Sequence, residues 1–338
     1  MTDPGRLLQV SDLCVRFPVA GAFWQKPSVV HAVNSVSLDL AEGEILGIVG
    51  ESGCGKSSLG RALLHLIPAS SGQVLWRGTD LARMGAGERR RTRREMAMIF
   101  QDPLASLNPR MTVGALVGEP LDIFEPRLGR VARRDKVAGM LARVGLTADA
   151  IDRYPHQFSG GQCQRIGIAR ALMLSPRMVV CDEAVSALDV SVQAQIVALL
   201  GELSRETGTA LIFISHNLAV VRQISDRVMV LYLGRVMEVA DRDRLYRSPR
   251  HPYTRALLSA VPLPDPARER GRSRIRLSGD LPSPLSPPGG CVFHTRCPAA
   301  VDRCRHDCPP LEGDAGHQVA CHRWREIAEE DGPGSSGS

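Results

Sequence analysis

Leu8, Val10, Leu13, Val15 and Phe17 recur in loose alternation along residues 8–17, the pattern of a half-buried strand. After a stretch punctuated by Gly and Pro, Val36, Leu38 and Leu40 alternate again. From Glu44 the pattern changes: Ile45-Leu-Gly-Ile-Val49 is apolar without interruption up to Gly50, as in a strand buried on both faces. From Lys56 the spacing becomes helical, with Leu59, Leu63, Leu66 and Ile67 in register until Pro68 ends it. Short apolar runs at 96–100, 178–181, 210–214 and 228–232 predict further strands, separated by helical stretches. The clearest helix carries Val192, Ile196, Leu199, Leu200 and Leu203 on one stripe. This alternation predicts an α/β chain with a parallel sheet covered on both faces. Between Asp102 and Ser159 no strand-like run occurs, and about 103–165 reads as an inserted helical subdomain.

The text changes at Pro262, becoming rich in Pro, Arg and Ser through 288 before a run of cysteines. A small C-terminal domain is expected over 261–325, after a main domain over 7–260, with a disordered tail at 329–338. There is no internal repeat. At 338 residues and 43% apolar content the chain is long enough for one large domain and an appendage. No apolar run reaches the roughly 18–20 residues that span a bilayer. The N-terminus carries no apolar core behind a basic patch, so a cytoplasmic location is expected.

Charge adds little. The net charge is +6, and Lys occurs only at 26, 56 and 136. The densest basic run, Glu88 to Glu95 (ERRRTRRE), has flanking acids and no interleaved aromatics, so it reads as a solvated helix face rather than a nucleic-acid site.

Candidate chemistry begins at Gly50, Glu51, Ser52, Gly53, Cys54, Gly55, Lys56, Ser57, which fits G-x-x-x-x-G-K-[ST] after a buried strand and before a helix. The glycines let successive N–H groups and the helix N-terminus face phosphate oxygens. Lys56 offers a point charge to the β- and γ-phosphates, and the Ser57 hydroxyl suits Mg²⁺; Ser58 follows in the helix. Asp182 ends the apolar run at 178–181, where a P-loop ATPase holds Mg²⁺, and Glu183 is placed to take a proton from an attacking water. Ser159, Gly160, Gly161 and Gln162 open a helix upstream, a second N-terminus with unpaired N–H groups.

The order Gly50–Ser57, Gln101, Ser159–Gln162, Asp182-Glu183, Ser186-Ala-Leu-Asp189, His216 resembles the ATP-binding subunit of ABC transporters, over about residues 7–240. The resemblance implies an ABC-type P-loop ATPase sheet domain that dimerises head to tail, ATP lying between the phosphate loop of one copy and Ser159–Gln162 of the other. It implies that Gln101 senses Mg²⁺ and the water, Glu183 is the base, Asp189 contacts across the dimer and His216 holds the γ-phosphate. Ser57, Gln101 and Asp182 would hold Mg²⁺. Phe17 is the best match for the aromatic that stacks on adenine, with Phe23 and Trp24 as rivals. Two departures stand out: Phe158 where many members have Leu, and Ala184 where Pro is usual. A soluble ABC-type ATPase acting on DNA or ribosomes is the alternative, but neither a long coiled-coil insertion nor a second cassette is present.

The segment 18–30, the phrase Gln101-Asp-Pro-Leu-Ala-Ser-Leu-Asn-Pro109, His251-Pro-Tyr-Thr254 and Gly290-Cys-Val-Phe-His-Thr-Arg-Cys297-Pro look like the ATPases of oligopeptide/dipeptide importers, a group shared with nickel importers. That implies a second, non-identical ATPase subunit, two permease subunits, a periplasmic or extracellular solute-binding protein reached through them, no nucleic acid, and a place on the cytoplasmic face of the membrane. Five of the nine cysteines, at 291, 297, 304, 308 and 321, crowd into 31 residues. In a reducing compartment this reads as metal binding before disulfides. Zinc ribbons pair cysteines at C-x2–4-C, which only Cys304 and Cys308 approach. The wider spacing suits an iron–sulfur cluster. The resemblance implies a [4Fe-4S] cluster on Cys291, Cys297, Cys304 and Cys321, with Cys308 spare. Zinc aided by His294, His306, His317 or His322, and free thiols, stay open.

Overall fold

A computed structural model describes residues 6–19, 28–102, 104–262 and 274–330. Phe23, Trp24 and the tail from 331 lie outside these residues. Glu329 and Glu330 close the last helix, two residues into the segment expected to be disordered. The chain opens with β1 (Arg6–Val19), β2 (Ser28–Ala41), β3 (Ile45–Val49), α1 (Lys56–Leu63), β4 (Ser71–Trp76), β5 (Thr79–Asp80), α2 (Ala86–Glu95) and β6 (Met96–Ile99). There follow α3 (Val113–Phe124), α4 (Arg130–Arg143), α5 (Gly160–Leu172), β7 (Met178–Asp182), α6 (Val190–Thr207) and β8 (Ala210–Ser215). Then come α7 (Leu218–Ile224), β9 (Arg227–Tyr232), β10 (Arg235–Asp241), α8 (Arg242–Arg247) and α9 (Pro252–Ala260). The end of the chain adds α10 (Arg303–His306), β11 (Glu312–Asp314), β12 (His317–Val319) and α11 (Trp324–Glu330). Among the described residues no helix is long and apolar enough to cross a membrane.

Packing divides the chain into two compact units that interleave in sequence. The first holds Met1–Gln9, Asp39–Ile45 and Leu75–Ser215. In it β8, β7 and β6 lie side by side and parallel, with Met178 opposite Met96 and Ala210 and with Asp182 opposite Ile214. Every residue of β7 and β8 is buried, which is why their apolar runs are unbroken. Between β6 and β7 the described chain holds no strand, and α3 packs on α4 and α5. The Thr112 hydroxyl caps α3 by accepting from Ala115 N at 3.3 Å. The arginine run lies on α2, where Thr92 alone is buried, so that face is solvated.

The second unit holds Val10–Leu38, Leu46–Val74 and His216–Ser338. Here β3 and β9 are parallel, Val49 opposite Val230. Beyond β9 come strands that the apolar runs did not announce: β10 turns back antiparallel on β9, β12 pairs antiparallel with β10, and β11 with β12. The reversal is made by Leu233 and Gly234, both left-handed at φ 44° and 73°. Two left-handed residues make the tight turn whose twist matches a hairpin. β1, β2 and β4, whose greater parts belong to this unit, lie in the order β2–β1–β4.

A buried polar knot joins β10, β12 and the start of α9. The Glu238 carboxylate, wholly buried, accepts from Arg250 N (2.7 Å), His251 N (3.0 Å) and His317 Nε2 (2.6 Å). Burial alone would raise its pKa, but these donors outweigh it and hold the carboxyl below its ordinary range. His251 caps α9 by accepting from Tyr253 N on Nδ1, and burial lowers its pKa to about 4. In the unfolded chain His251 takes a proton as pH falls below about 6.5, whereas in the fold it stays neutral until about 4. Stability is therefore lost as pH falls through that window, by about 2 kcal/mol at pH 5. Denaturant unfolding at pH 7.5 and pH 5 should show this loss, and His251→Asn, which keeps a cap acceptor without titrating, should show less of it.

Candidate functional site

β3 delivers the chain to Gly50, where space is the first constraint. A Cβ on Gly50 would stand 2.2 Å from Leu231 O, and one on Gly55, itself left-handed at φ 101°, would stand 1.9 Å from Ala32 O. Both positions admit only glycine. Gly55 also precedes α1 as a cap residue that makes no side-chain cap bond. Lys56 is buried, and its Nζ donates to Gly50 O and Glu51 O, each at 2.9 Å. Ser52 and Gly53 are exposed, and Ser57 and Ser58 are half-buried on the first turn. Cys54 is buried, which pushes its thiol pKa up. A tight glycine loop that opens a helix N-terminus and carries one buried cation is the chemistry of a polyphosphate site.

In the first unit Asp182 is buried at the end of β7. Glu183 follows with left-handed backbone at φ 47°, its N–H donating to Ile214 O at 3.0 Å. That twist turns the chain out of the strand direction. The Glu183 carboxylate accepts from Gln101 Nε2 at 3.3 Å, so two predicted residues 82 positions apart meet. Ser159 caps α5: its Oγ accepts from Gln162 N at 3.4 Å, and Gln162 Oε1 accepts from Ser159 N at 3.0 Å. Gly160 and Asp189, the latter capping α6 without a side-chain bond, are exposed. His216, after β8, and Phe17, on β1, are exposed in the second unit.

Two residues that sequence reasoning passed over reach the phosphate loop. Tyr253 Oη accepts from Glu51 N at 3.0 Å, and Arg296 Nη1 binds both carboxylate oxygens of Glu51 at 2.8 and 3.1 Å. The segments His251–Thr254 and Gly290–Cys297 were singled out as family marks, but their spacing carries no signal that both converge on residue 51.

Cys291 and Cys304 are buried, Cys297 and Cys321 half-buried, and Cys308 exposed. Cys291 N donates to Cys304 O at 2.9 Å. Burial raises the Cys291 thiol to about 12 and Cys297 to about 11, and it raises Cys321 as well; neighbouring thiols of the same four add to each rise. The Cys308 sulfur accepts from Arg235 Nη1 at 3.1 Å. All-thiol donors suit iron–sulfur chemistry. Their positions do not: among the described residues no group of three or more His, Cys, Asp or Glu is able to hold a metal ion. The iron–sulfur expectation is thus not supported by the geometry. The same holds for zinc with His294, His306, His317 or His322, since that group of His and Cys is not brought together either.

Comparison with known proteins adds to this. Residues 33–186 match the ABC transporter family and residues 237–304 the oligopeptide/dipeptide transporter C-terminal region. The oligopeptide transport ATP-binding protein OppF of Salmonella typhimurium is 56% identical over 318 residues, 93% of this chain and 95% of that one. The oligopeptide transport ATP-binding protein AppF of Bacillus subtilis is 50% identical over 324 residues, 94% and 97% of the two chains. The ATP-binding cassette MJ0796, solved as a dimer in a post-hydrolysis state with ADP and Pi, superposes with a TM-score of 0.62. It is 28% identical and covers 69% of this chain and 98% of its own.

The start of α5 generates a test that needs no ligand. A Cβ on Gly161 would stand 2.6 Å from Val192 Cγ1 on α6, whereas one on Gly160 would stand 3.7 Å from Leu188 Cδ2, an ordinary contact. Valine is stiff at χ1 and cannot swing aside. Gly161→Ala should cost about 1–3 kcal/mol in denaturant unfolding, and Gly160→Ala less than about 1 kcal/mol.

Proposed function

The chain belongs to the ATP-binding subunits of ABC transporters, in their oligopeptide group, and from that premise we propose that it hydrolyses ATP to power the import of peptides. The alternative of an ATPase acting on nucleic acid or ribosomes is not favoured by relatives named for transport that align over more than nine-tenths of the chain. In this reading residues 7–260 form the nucleotide-binding domain, with a helical subdomain at about 103–165, and residues 261–325 form the C-terminal domain. The partners are a second ATPase subunit of different sequence and two permease subunits, with a solute-binding protein beyond them. The chain then sits at the cytoplasmic face of the membrane, held there by the permeases.

The observation that carries hydrolysis, rather than nucleotide binding alone, is the hydrogen bond from Gln101 to Glu183 beside the buried Asp182. Gln101 orients the Glu183 carboxylate, which accepts a proton from the water that attacks the γ-phosphorus. The bond from that water to phosphorus forms as the bond to the β-phosphate oxygen breaks. Gly50–Ser58 cradle the phosphates through backbone N–H groups, with Lys56 as the point charge. Ser57, Gln101 and Asp182 offer the hard oxygen donors that Mg²⁺ prefers, and Mg²⁺ when bound neutralises charge on the β- and γ-phosphates. His216 bears on the γ-phosphate and Phe17 on adenine. Ser159, Gly160, Gly161, Gln162 and Asp189 complete the site of the partner ATPase. Cys291, Cys297, Cys304 and Cys321 are proposed as one set of iron–sulfur ligands. Support comes from the all-thiol chemistry of the four. No step of the reaction passes through them.

In the assembled complex Glu183→Gln should cut hydrolysis by at least about 10²-fold, the usual worth of a general base, while MgATP binding is kept. A native rate in that variant would sink the base assignment. Protein purified without oxygen should carry iron that is lost on replacing any of the four cysteines and kept on replacing Cys308; zinc, or no metal, removes the cluster from the reading.

A further inference from the structure

We propose that Arg296 and Tyr253 are positioning residues for the phosphate loop, and that Arg296 keeps ATP affinity high by neutralising the loop's own carboxylate, Glu51. This inference rests on the reading that Gly50–Ser58 receive the phosphates of ATP.

Glu51 is the first residue after Gly50, and it brings a negative charge into a loop built to receive a polyanion. Like charge there opposes ligand binding, the more so where solvent screening is reduced. The structure answers this charge directly. Arg296 Nη1 bridges both oxygens of Glu51, and with the two side chains 11% and 27% exposed the pair is partly shielded from water and salt. The rest of Glu51 is equally committed: its N–H donates to Tyr253 Oη, and its carbonyl accepts from Lys56 Nζ. One residue thus has its amide, carbonyl and carboxylate each fixed by a different partner.

Those partners are themselves immobilised. Tyr253 is wholly buried, edge-on to Tyr232 with ring centroids 4.8 Å apart and tilted against Phe293 at 5.3 Å. Its own N–H is held by His251, which Glu238 holds in turn. Arg296 N donates to Phe293 O at 3.0 Å, so the turn that presents the guanidinium is anchored by the ring packed on Tyr253. The same short turn, Cys291–Cys297, carries two of the clustered thiols. The C-terminal segment therefore touches the nucleotide loop through one side chain whose charge matters to the ligand.

An ordinary structural tie and a charge-neutralising clamp differ in one readout. In the assembled transporter, Arg296→Ala should raise KM for MgATP about tenfold with kcat within twofold, because the unmasked Glu51 opposes binding. Adding Glu51→Gln to Arg296→Ala should recover most of that loss, since no charge is left to neutralise. A mere tie would make the double variant no better than the single. Tyr253→Phe, which frees the Glu51 amide without changing charge, should raise KM about threefold, and Glu51→Gln should not recover it. If Arg296→Ala does not assemble, Arg296→Gln is measured against the same KM criterion. A KM within twofold of wild type for the Arg296 variant, or a double variant as weak as the single, overturns the proposal. Lys56→Ala is the control for the loop itself: if it binds MgATP as wild type does, the phosphate-loop reading fails, whatever Arg296 does.

Discussion

A buried ammonium folded onto its own loop is the constraint around which the second unit is arranged. Lys56 has few routes to satisfy its charge away from water, and it takes the carbonyls of Gly50 and Glu51. Those carbonyls can face inward only if the backbone wraps tightly, and the wrap leaves no room for a Cβ at Gly50 or Gly55. The tightness in turn depends on neighbours that do not yield: Leu231 O at the end of β9 and Ala32 O on β2. Strand, loop and helix are thus one mechanical object.

Where burial is symmetrical, the chain's text reports it well. β3, β7 and β8 are buried throughout, so every residue of their runs is apolar or small up to the functional end. The phosphate loop and Asp182 were therefore legible, since each begins where such a run stops. β10 was not. Its inward position 238 holds a carboxylate, which breaks the apolar pattern that identifies a strand, and only the folded chain shows that three donors wait for it. β4 escaped for a related reason: only Val74 and Trp76 of its six residues are buried. The antiparallel return at Leu233 was equally hidden, because nothing in a leucine announces a left-handed turn.

The cysteines show the same limit from the other side. Spacing along a chain measures contour length and says nothing of where a side chain points. It grouped the five thiols, and only the fold shows that the Cys308 sulfur accepts from Arg235. The remaining four influence one another without converging on a metal-holding arrangement. Likewise, the position of Arg296 one residue before Cys297 was visible in the text, but its partner, 245 residues earlier, was not.

That separation bears on how the protein is made. A ribosome releases the chain from its N-terminus, and domains generally fold as their residues emerge. The segment bearing β3, the loop and α1 follows β1 and β2 out, well ahead of its partners. Its carboxylate at residue 51 must then wait for 245 more residues before its guanidinium partner exists. Contacts of such high sequence separation are costly to close and form late. The nucleotide loop, among the earliest parts of this protein to be synthesised, is among the last to be finished.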